Sequence, residues 1–481
     1  YRTLKLLRLA LVALAAAMGL IVAARMLAGP FTFSWISVIT PLNPEGFFGL
    51  AVILLLAACT VACIPTPGPE DAPWTRRKTV FLALAVAAIT ILAFRRALGI
   101  FFLSDDFVIV TIGNTWNLAA FRYALTHGGG DGFFRPLGIV ALALAAKLSS
   151  FDPVRWHAWS LGIHAINSVL VLFLARRLGA TPLAAAFAGV LFGVHGSRPE
   201  AAVWIAGQFD LLATLFVLSG FLLFLRATNP WTHAAALTCF AVAALSKESA
   251  FIFPLLLAIY VLWKRQPLVR TVPYFALAAI LFGYRWSLFG GIGGYVDPAT
   301  GRPAAFALGF GSTLKAVAVR LWTSLFFPIN WSRDPSLPFA LLAITYMGAL
   351  VWLAMRSRPA QPLWPAAIAI LIASIPPLSL LSGSPTLAGS RVLYLPSVWF
   401  AILLALAVDG LSGRARYLVP ALVLLFQFAA LQHNLDFWEA ASVRVKEECA
   451  KAVPDLPPSI QGIPALANGM KECLEIGHGQ P

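Results

Sequence analysis

The sequence has 481 residues, of which 60% are hydrophobic and 11% charged, and its mean hydropathy is +0.83. Soluble domains have roughly 45 to 50% apolar and about 25% charged residues, so this composition excludes a soluble globular protein and indicates a polytopic α-helical membrane protein. The formal net charge of +15 comes mostly from Lys and Arg in short loops between apolar segments. It therefore reflects membrane topology and not binding to nucleic acid.

Apolar stretches predict a bundle of about thirteen transmembrane helices. In chain order the expected spans are about 4–27, 47–65, 79–100, 155–177, 182–197, 207–226, 233–246, 249–264, 268–286, 338–356, 363–382, 393–411 and 417–433. With a cytoplasmic N-terminus, every inner loop is basic, as the positive-inside rule requires. An odd number of spans then places the C-terminus outside the cytoplasm.

This topology divides the chain into three parts. Residues 1–78 are expected to form an N-terminal hairpin and a cytoplasmic linker, and residues 79–433 a transmembrane core with outer loops at 104–153 and 286–338. Amphipathic stretches in these loops predict interfacial helices. Residues 434–481 form a short extracytoplasmic tail, where Cys449 and Cys473 are placed to form a disulfide. The absence of eukaryotic targeting features favours a bacterial inner membrane.

Polar and charged side chains beside the predicted spans converge on the outer face. Such groups are costly near a membrane, so they are functional candidates by default. Five separate segments contribute them: Asp105 and Asp106, His195 and Glu200, Gln208 and Asp210, Lys247 and Glu248, and Arg391 and Tyr394.

Each of these groups also has a structural interpretation. Asp105 fits the cap of a surface helix, although two adjacent carboxylates also suit acid-base chemistry or metal binding. Glu200 fits the first turn of a helix, where the dipole favours a negative charge. His195 fits a packed turn, and Lys247 with Glu248 fits a buried pair that joins two helix ends.

The predicted cluster combines a base with a cationic phosphate site beside the lipid. A carboxylate can accept the proton of a hydroxyl, while Arg391, Lys247 and Arg135 can neutralise a departing phosphate. Transfer of a sugar from a lipid phosphate to a hydroxyl uses both functions. A proton-coupled transporter is an alternative, but the repeated halves and broken helices of transporters are not evident.

An ordered series of motifs from about residue 100 to residue 440 resembles a known enzyme family. The motifs are SDDF, FFRPL, HAINSVLVLFLARRLG, FGVHGSRPEAAVWIAGQFDLLATLF, LSKESAFIFPLLLAIY, SRVLYLPS and HNLDFW. Together they resemble the membrane portion of the transmembrane and tetratricopeptide-repeat O-mannosyltransferases and their bacterial relatives, which belong to the GT-C class of glycosyltransferases.

The resemblance implies a multispanning enzyme that uses a polyprenyl-phosphate sugar donor on the extracytoplasmic side. The acceptor would be a hydroxyl of a protein Ser or Thr, a glycan or a lipid. By correspondence with the family motifs, Asp105 and Asp106 would carry the catalytic base. The residues that would position the acceptor or the base are His195, Glu200, Gln208, Asp210 and Glu248. Those that would bind the donor phosphate are Arg135, Lys247, Arg391 and Tyr394. No metal or other cofactor is expected, although a divalent cation remains open because oligosaccharyltransferases of the wider class use one.

The sequence also departs from the family pattern. Gly196, Ser197 and Arg198 stand where a second His is usual, and Gln208 stands where a cation is usual. The short tail replaces the usual repeats. These departures keep two alternatives open: a non-catalytic structural subunit of a membrane complex, and a transporter of a lipid-linked sugar.

Overall fold

A computed structural model describes residues 75–127, 132–294, 321–330, 336–357, 359–376 and 386–452, together with a few isolated positions. The predicted spans 4–27 and 47–65 lie outside the described residues, as does Cys473. Within these ranges the chain is helical and contains no β-strand, which confirms the predicted all-α class.

The described part of the chain forms sixteen α-helices, numbered here in chain order. They are α1 (Arg76–Ala93), α2 (Asp106–Thr115), α3 (Leu118–His127), α4 (Pro136–Ser149), α5 (Pro153–Arg177), α6 (Pro182–Val194), α7 (Pro199–Ala202), α8 (Gln208–Arg226), α9 (Pro230–Ser246), α10 (Phe253–Trp263), α11 (Val272–Phe289), α12 (Leu321–Phe326), α13 (Leu337–Arg356), α14 (Trp364–Ala373), α15 (Pro396–Asp409) and α16 (Ala415–Ala452). Short 3-10 segments connect several of them, at Arg95–Gly99, Ile205–Gly207, Glu248–Ile252, Leu268–Thr271 and Ser390–Leu393.

Four helical stretches are long and apolar enough to cross a membrane: Pro153–Arg177, Ile205–Arg226, Leu268–Phe289 and Ala415–Cys449. The protein is a membrane protein, but the predicted count of thirteen spans is not confirmed. Several expected spans form shorter helices, since α6 has 13 residues and α15 has 14. At 1.5 Å per residue each is about 20 Å long, which is less than the hydrocarbon core of roughly 30 Å.

The helical stretch Ile205–Arg226, which includes all of α8, lies at the centre of the bundle, and α11 lies at its edge. In an apolar stretch of 18 residues within Ile205–Arg226, 89% of the residues are buried. The corresponding fraction for Leu268–Phe289 is 11%. The exposed residues of α11 are largely apolar, as expected of a surface that faces lipid.

Small residues allow α6 to approach α1 and α5 closely. A Cβ added at Gly193 would lie 2.2 Å from the Thr90 hydroxyl oxygen, and one added at Gly189 would lie 2.8 Å from the Ser168 carbonyl oxygen. Such approaches are typical of helix contacts in membranes, where packing replaces the hydrophobic effect between helices. The Gly positions of α6 thus fix the spacing of these three helices.

The helices of the bundle end at two chemically different surfaces. One end, called here the site end, contains Asp105, Glu200, Lys247 and Arg391. The other, called here the basic end, contains the cationic ends of α5, α8 and α10. Asp409 lies at the basic end, where its carboxylate accepts hydrogen bonds from the backbone N–H of Thr181 at 2.9 Å and from the Thr181 hydroxyl.

The last helix, α16, continues for 38 residues without a break. Residues 434–452, expected at the start of the tail, are therefore part of the helix that also contains the predicted span 417–433. Arg96 forms ion pairs with Asp436 at 2.7 Å and Glu439 at 2.5 Å, and the Ser442 hydroxyl accepts a hydrogen bond from the Phe101 N–H at 2.6 Å. The C-terminal half of α16 thereby holds the segment that leads to Asp105. Cys449, near its end, is buried and disulfide-bonded.

Candidate active site

Asp106 fastens the start of α2 to the segment that precedes α8. Its side chain is 1% exposed. Oδ2 accepts a hydrogen bond from the Leu103 N–H at 3.0 Å, and Oδ1 accepts from the N–H groups of Ile205 at 2.8 Å and Ala206 at 3.3 Å. Burial raises the pKa of Asp106 well above its usual value, while the three N–H donors oppose this rise by favouring the carboxylate. With both oxygens engaged by backbone, Asp106 acts as an anchor.

Asp105 lies beside this anchor and is half-buried, so solvent can reach its carboxylate. It precedes α2, but its side chain makes no capping hydrogen bond to the helix. The Ser104 hydroxyl donates to Asp105 Oδ1 at 3.3 Å, and Ser104 has a φ of +49°. A positive φ is uncommon for Ser, and strained backbone of this kind clusters at functional sites. Of the adjacent pair, Asp105 is the carboxylate that a substrate can approach.

Glu200 organises the segment that carries Arg391. Its Oε1 accepts from the Gly389 N–H at 3.0 Å and from Arg391 Nη1 at 2.5 Å, and its Oε2 accepts from the Arg391 N–H at 2.9 Å and the Ser390 hydroxyl at 3.1 Å. Gly389 has a φ of +83°, a conformation that favours glycine. The carboxylate side chain is 9% exposed and that of Arg391 is 20% exposed. Glu200 therefore fixes the position of the Arg391 guanidinium, which still reaches solvent.

Trp204, which no sequence pattern singles out, connects the segment before Asp105 with Arg391. The indole N–H donates to the Leu103 carbonyl at 3.2 Å. The guanidinium carbon of Arg391 lies 4.5 Å from the centre of the Trp204 ring, in the range of a cation–π contact. In a chain with 15 Trp residues, nothing in the sequence distinguishes this one.

Lys247 and Asp210 form a buried ion pair between the ends of α9 and α8. The ammonium lies 2.5 Å from Asp210 Oδ2, and the side chains are 11% and 6% exposed. Burial lowers the pKa of Lys247, and the charge of Asp210 opposes this effect. The pair joins two segments that are 37 residues apart in the chain.

Arg135 and Glu248 form a second pair, with two hydrogen bonds side by side. Arg135 Nε donates to Glu248 Oε2 at 2.9 Å, and Arg135 Nη2 donates to Glu248 Oε1. The guanidinium carbon lies 4.2 Å from the centre of the Phe133 ring and 5.1 Å from that of Phe209. Burial raises the pKa of Glu248, but the charges of Arg135 and Lys247 outweigh it and lower the pKa to about 2. Lys247 and Glu248 thus each pair with another segment and not with each other.

Four side chains from separate parts of the chain contact the segment of residues 204–210. Asp106 binds the backbone at Ile205, Arg391 covers Trp204, Arg135 contacts Phe209, and Lys247 pairs with Asp210. This short segment therefore holds the acidic loop and the cationic side chains at one place.

Gly207 is the position in this segment where a side chain does not fit. A Cβ there would lie 2.4 Å from the Ala201 carbonyl oxygen and 2.8 Å from that of Glu200, both of them backbone atoms. We expect Gly207→Ala to lower the free energy of unfolding by about 1 to 3 kcal/mol through overpacking, and to reduce activity because the segment must shift. Gly283→Ala is the matched control, since nothing lies within 4 Å of its added Cβ. Thermal unfolding in detergent measures both, and equal stability of the two variants would contradict this prediction.

Three predicted site residues face the interior and not the cluster. Both ring nitrogens of His195 are engaged, Nδ1 with the Ser197 hydroxyl at 2.9 Å and Nε2 with the Leu325 carbonyl at 2.8 Å. Gln208 is fully buried and donates to the Ser160 hydroxyl at 3.1 Å. Tyr394 is also fully buried.

The Tyr394 hydroxyl belongs to a polar network inside the bundle. It lies 2.7 Å from His164 Nδ1 and 3.1 Å from Asn167 Nδ2. Arg198, one of the three residues between His195 and Pro199, lies with its guanidinium carbon 4.9 Å from the centre of the Tyr394 ring and donates to the Phe192 carbonyl at 2.9 Å. Burial lowers the pKa of Arg198 to about 10. In this structure Tyr394 and Arg198 support the Arg391 segment from within.

The site end thus combines one accessible carboxylate, Asp105, with a fixed and partly exposed guanidinium, Arg391. Trp204 links the two, since it binds the Leu103 carbonyl two residues before Asp105 and contacts Arg391. A base and a cation held at one end of the bundle can accept a proton and bind an anionic group in the same reaction. No group of three His, Cys, Asp or Glu side chains suited to a metal ion occurs among the residues that the structure describes.

The apolar helices and the polar cluster at one end define a helical membrane protein, and comparison with known proteins shows which proteins it resembles. Human TMTC3, a protein O-mannosyl-transferase, is 34% identical over 122 residues, which are 24% of this chain and 13% of that protein. Human TMTC4, of the same description, is 30% identical over 168 residues, or 30% of this chain and 23% of that protein. Drosophila melanogaster Tmtc1 is 28% identical over 135 residues, or 28% and 16%.

These matches confirm the resemblance to the TMTC O-mannosyltransferases of the GT-C type, and they support a glycosyltransferase role. No family model matches the chain. The matched stretches cover less than a quarter of each of these three relatives.

Proposed function

We propose that the protein is a membrane glycosyltransferase that moves a sugar, mannose by analogy with its relatives, from a polyprenyl phosphate to a hydroxyl acceptor on the extracytoplasmic side. The observation that carries the proposal is the position of Trp204, which binds the Leu103 carbonyl two residues before Asp105 and lies against the Arg391 guanidinium. The resemblance to protein O-mannosyl-transferases supports both the chemistry and a protein acceptor. The positive-inside pattern supports the orientation.

In the proposed reaction the acceptor oxygen attacks the anomeric carbon of the donor sugar. The bond between that carbon and the phosphate oxygen breaks, the acceptor proton passes to Asp105, and polyprenyl phosphate leaves with its negative charge. Attack opposite the leaving group inverts the anomeric configuration. Arg391 stabilises the phosphate, because within the described chain its guanidinium donates only Nη1, to Glu200, and keeps Nε and Nη2 for a ligand. Glu200 and Asp106 position these two groups.

The proposal is tested by transfer of radiolabelled mannose from polyprenyl-phosphate mannose, using purified protein in lipid vesicles and membrane extract as acceptor. Label incorporated by the parent protein and not by Asp105→Asn would support it. If no acceptor is labelled from any polyprenyl-phosphate sugar by the folded protein, the glycosyltransferase proposal is wrong. Movement of the donor across the vesicle membrane without transfer would indicate a transporter instead.

Replacement of Arg391 by Gln should raise the KM for the donor about tenfold, because one charge-assisted hydrogen bond to the phosphate is worth roughly 1.5 kcal/mol. In this variant the Glu200 carboxylate still accepts hydrogen bonds from the backbone N–H groups of Gly389 and of residue 391 and from the Ser390 hydroxyl. Arg391→Lys is the matched control and should recover part of the donor affinity. Steady-state kinetics with varied donor measures both. An unchanged KM in the Gln variant would place the phosphate elsewhere.

A further inference from the structure

Arg198 is a cation inside the bundle that has no carboxylate partner among the residues that the structure describes. Its side chain is fully buried, and the ion pairs of the described chain involve other cations. A buried charge without an opposite charge is costly, so a cation in this environment is a functional candidate by default. The surrounding groups must stabilise this cation in another way.

Two helix ends and two aromatic rings surround the Arg198 guanidinium. Nε donates to the Phe192 carbonyl at 2.9 Å, in the last turn of α6, where the helix dipole is negative. Nη2 donates to the Ser397 hydroxyl, in the first turn of α15. The guanidinium carbon lies 4.5 Å from the centre of the Phe192 ring and 4.9 Å from that of Tyr394. Arg198 therefore joins the end of α6 to the start of α15.

The start of α15 is connected to Arg391 by hydrogen bonds. The Ser397 hydroxyl donates to the Tyr394 carbonyl at 2.7 Å, and the Tyr394 N–H donates to the Arg391 carbonyl at 3.0 Å. A continuous series of contacts thus leads from the Arg198 guanidinium through Ser397 and Tyr394 to the backbone of Arg391.

Glu200 holds the same segment from the other side. Its carboxylate accepts hydrogen bonds from the Gly389 N–H and the Ser390 hydroxyl, which precede Arg391 in the chain. Glu200 also binds the Arg391 guanidinium directly, whereas Arg198 holds the backbone that follows. The turn after α6 therefore fixes the chain both before and after Arg391.

We propose that Arg198 is a positioning residue for donor binding: it holds the backbone that carries Arg391, and Arg391 binds the donor phosphate. The inference rests on the role of Arg391 in the proposed function. Arg198 is fully buried and does not contact the donor itself, so its effect on the phosphate passes through Arg391. Loss of Arg198 should weaken phosphate binding and leave the proton transfer to Asp105 unchanged.

The proposal is tested with a cycle of single and double variants, read by the Kd of the purified, folded protein for polyprenyl phosphate. Arg198→Met should raise this Kd about fivefold in the parent, and less than about twofold when Arg391→Gln is already present, because the guanidinium that it positions is gone. The transfer rate at saturating donor should fall less than about twofold. Arg285→Met is the matched control, since Arg285 is 4% exposed and donates to the Ile292 carbonyl at 2.8 Å. This control removes a buried guanidinium elsewhere and should leave the Kd as in the parent.

A second variant interrupts the connection and keeps the charge of Arg198. Ser397→Ala removes the hydroxyl between Arg198 and Tyr394, so it should raise the Kd about as much as Arg198→Met. The two changes together should have no larger effect than either alone. Ser374→Ala is the matched control, because Ser374 is also buried and its hydroxyl donates to the Ile370 carbonyl at 2.8 Å. It should leave the Kd unchanged.

Three results would overturn the proposal on Arg198. They are an unchanged Kd in Arg198→Met and Ser397→Ala, an equal rise in Kd with and without Arg391→Gln, and an equal rise in the Arg285→Met control. The Kd does not depend on sugar transfer, so a parent that binds polyprenyl phosphate but transfers no sugar would contradict the proposed function alone. A parent that does not bind polyprenyl phosphate would contradict both.

Discussion

Asp105→Asn should reduce sugar transfer by a factor of about 100 to 10,000 while the protein remains folded, because the variant loses the group that accepts the acceptor proton. Asp105 is half-buried and makes no capping hydrogen bond to α2, and the amide of Asn has the same shape as the carboxylate that it replaces. Initial transfer rates at saturating donor, together with thermal unfolding in detergent, measure the two effects separately.

The neighbouring variant Asp106→Asn is the control, and it should behave in the opposite way. In this variant an amide NH2 group replaces one of the two carboxylate oxygens, each of which accepts backbone hydrogen bonds in the parent. The NH2 group would then face either the N–H of Leu103 or the N–H groups of Ile205 and Ala206. Leaving such a buried donor unsatisfied costs about 1 to 3 kcal/mol of stability. Transfer should fall along with the folded fraction. If Asp106→Asn were stable but inactive while Asp105→Asn remained active, Asp106 would be the base and Asp105 would not.

The second large effect concerns the buried pair of Lys247 and Asp210. Lys247→Met should lower the free energy of unfolding by about 3 to 5 kcal/mol, because Asp210 is left as an uncompensated charge in a site that is 6% exposed. Adding Asp210→Asn removes that charge, so the double variant should return to within about 1 kcal/mol of the parent. Thermal unfolding of the two single variants and the double variant forms a complete cycle.

The same cycle decides what Lys247 does in the reaction. Since its ammonium is bound to Asp210 and its side chain is 11% exposed, we expect transfer to recover with stability, to within about tenfold of the parent. A double variant that is as stable as the parent but does not transfer sugar would show that Lys247 contacts the donor itself.

The sequence predicted which charged residues gather at one end of the bundle better than it predicted which of them form pairs. Charges that lie beside apolar spans must gather where they are stabilised, so the convergence of Asp105, Glu200, Asp210, Lys247 and Arg391 could be expected from composition and topology. Which cation faces which carboxylate depends on the distances between helices that are far apart in the chain. The pairs Glu200 with Arg391 and Asp210 with Lys247 therefore needed the structure.

Two further features depend on packing that a sequence does not display. Tyr394 follows Arg391 by three residues, yet its hydroxyl lies with His164 and Asn167 inside the bundle while Arg391 stays partly exposed. The lengths of the shorter helices were also overestimated. Hydropathy continues across the 3-10 segments Glu248–Ile252 and Ser390–Leu393, so it does not mark where an α-helix begins.

The contacts between α16 and the segment before Asp105 set an order of events during biosynthesis. Arg96 and Asp436 are 340 residues apart in the chain, and Phe101 and Ser442 are 341 apart. A chain emerging from the ribosome therefore completes almost all of its other helices before these contacts can form. The loop that carries Asp105, the proposed catalytic carboxylate, gains these contacts last. A nascent or truncated chain that ends before residue 436 therefore keeps every proposed catalytic side chain but lacks the contacts from α16 that hold this loop.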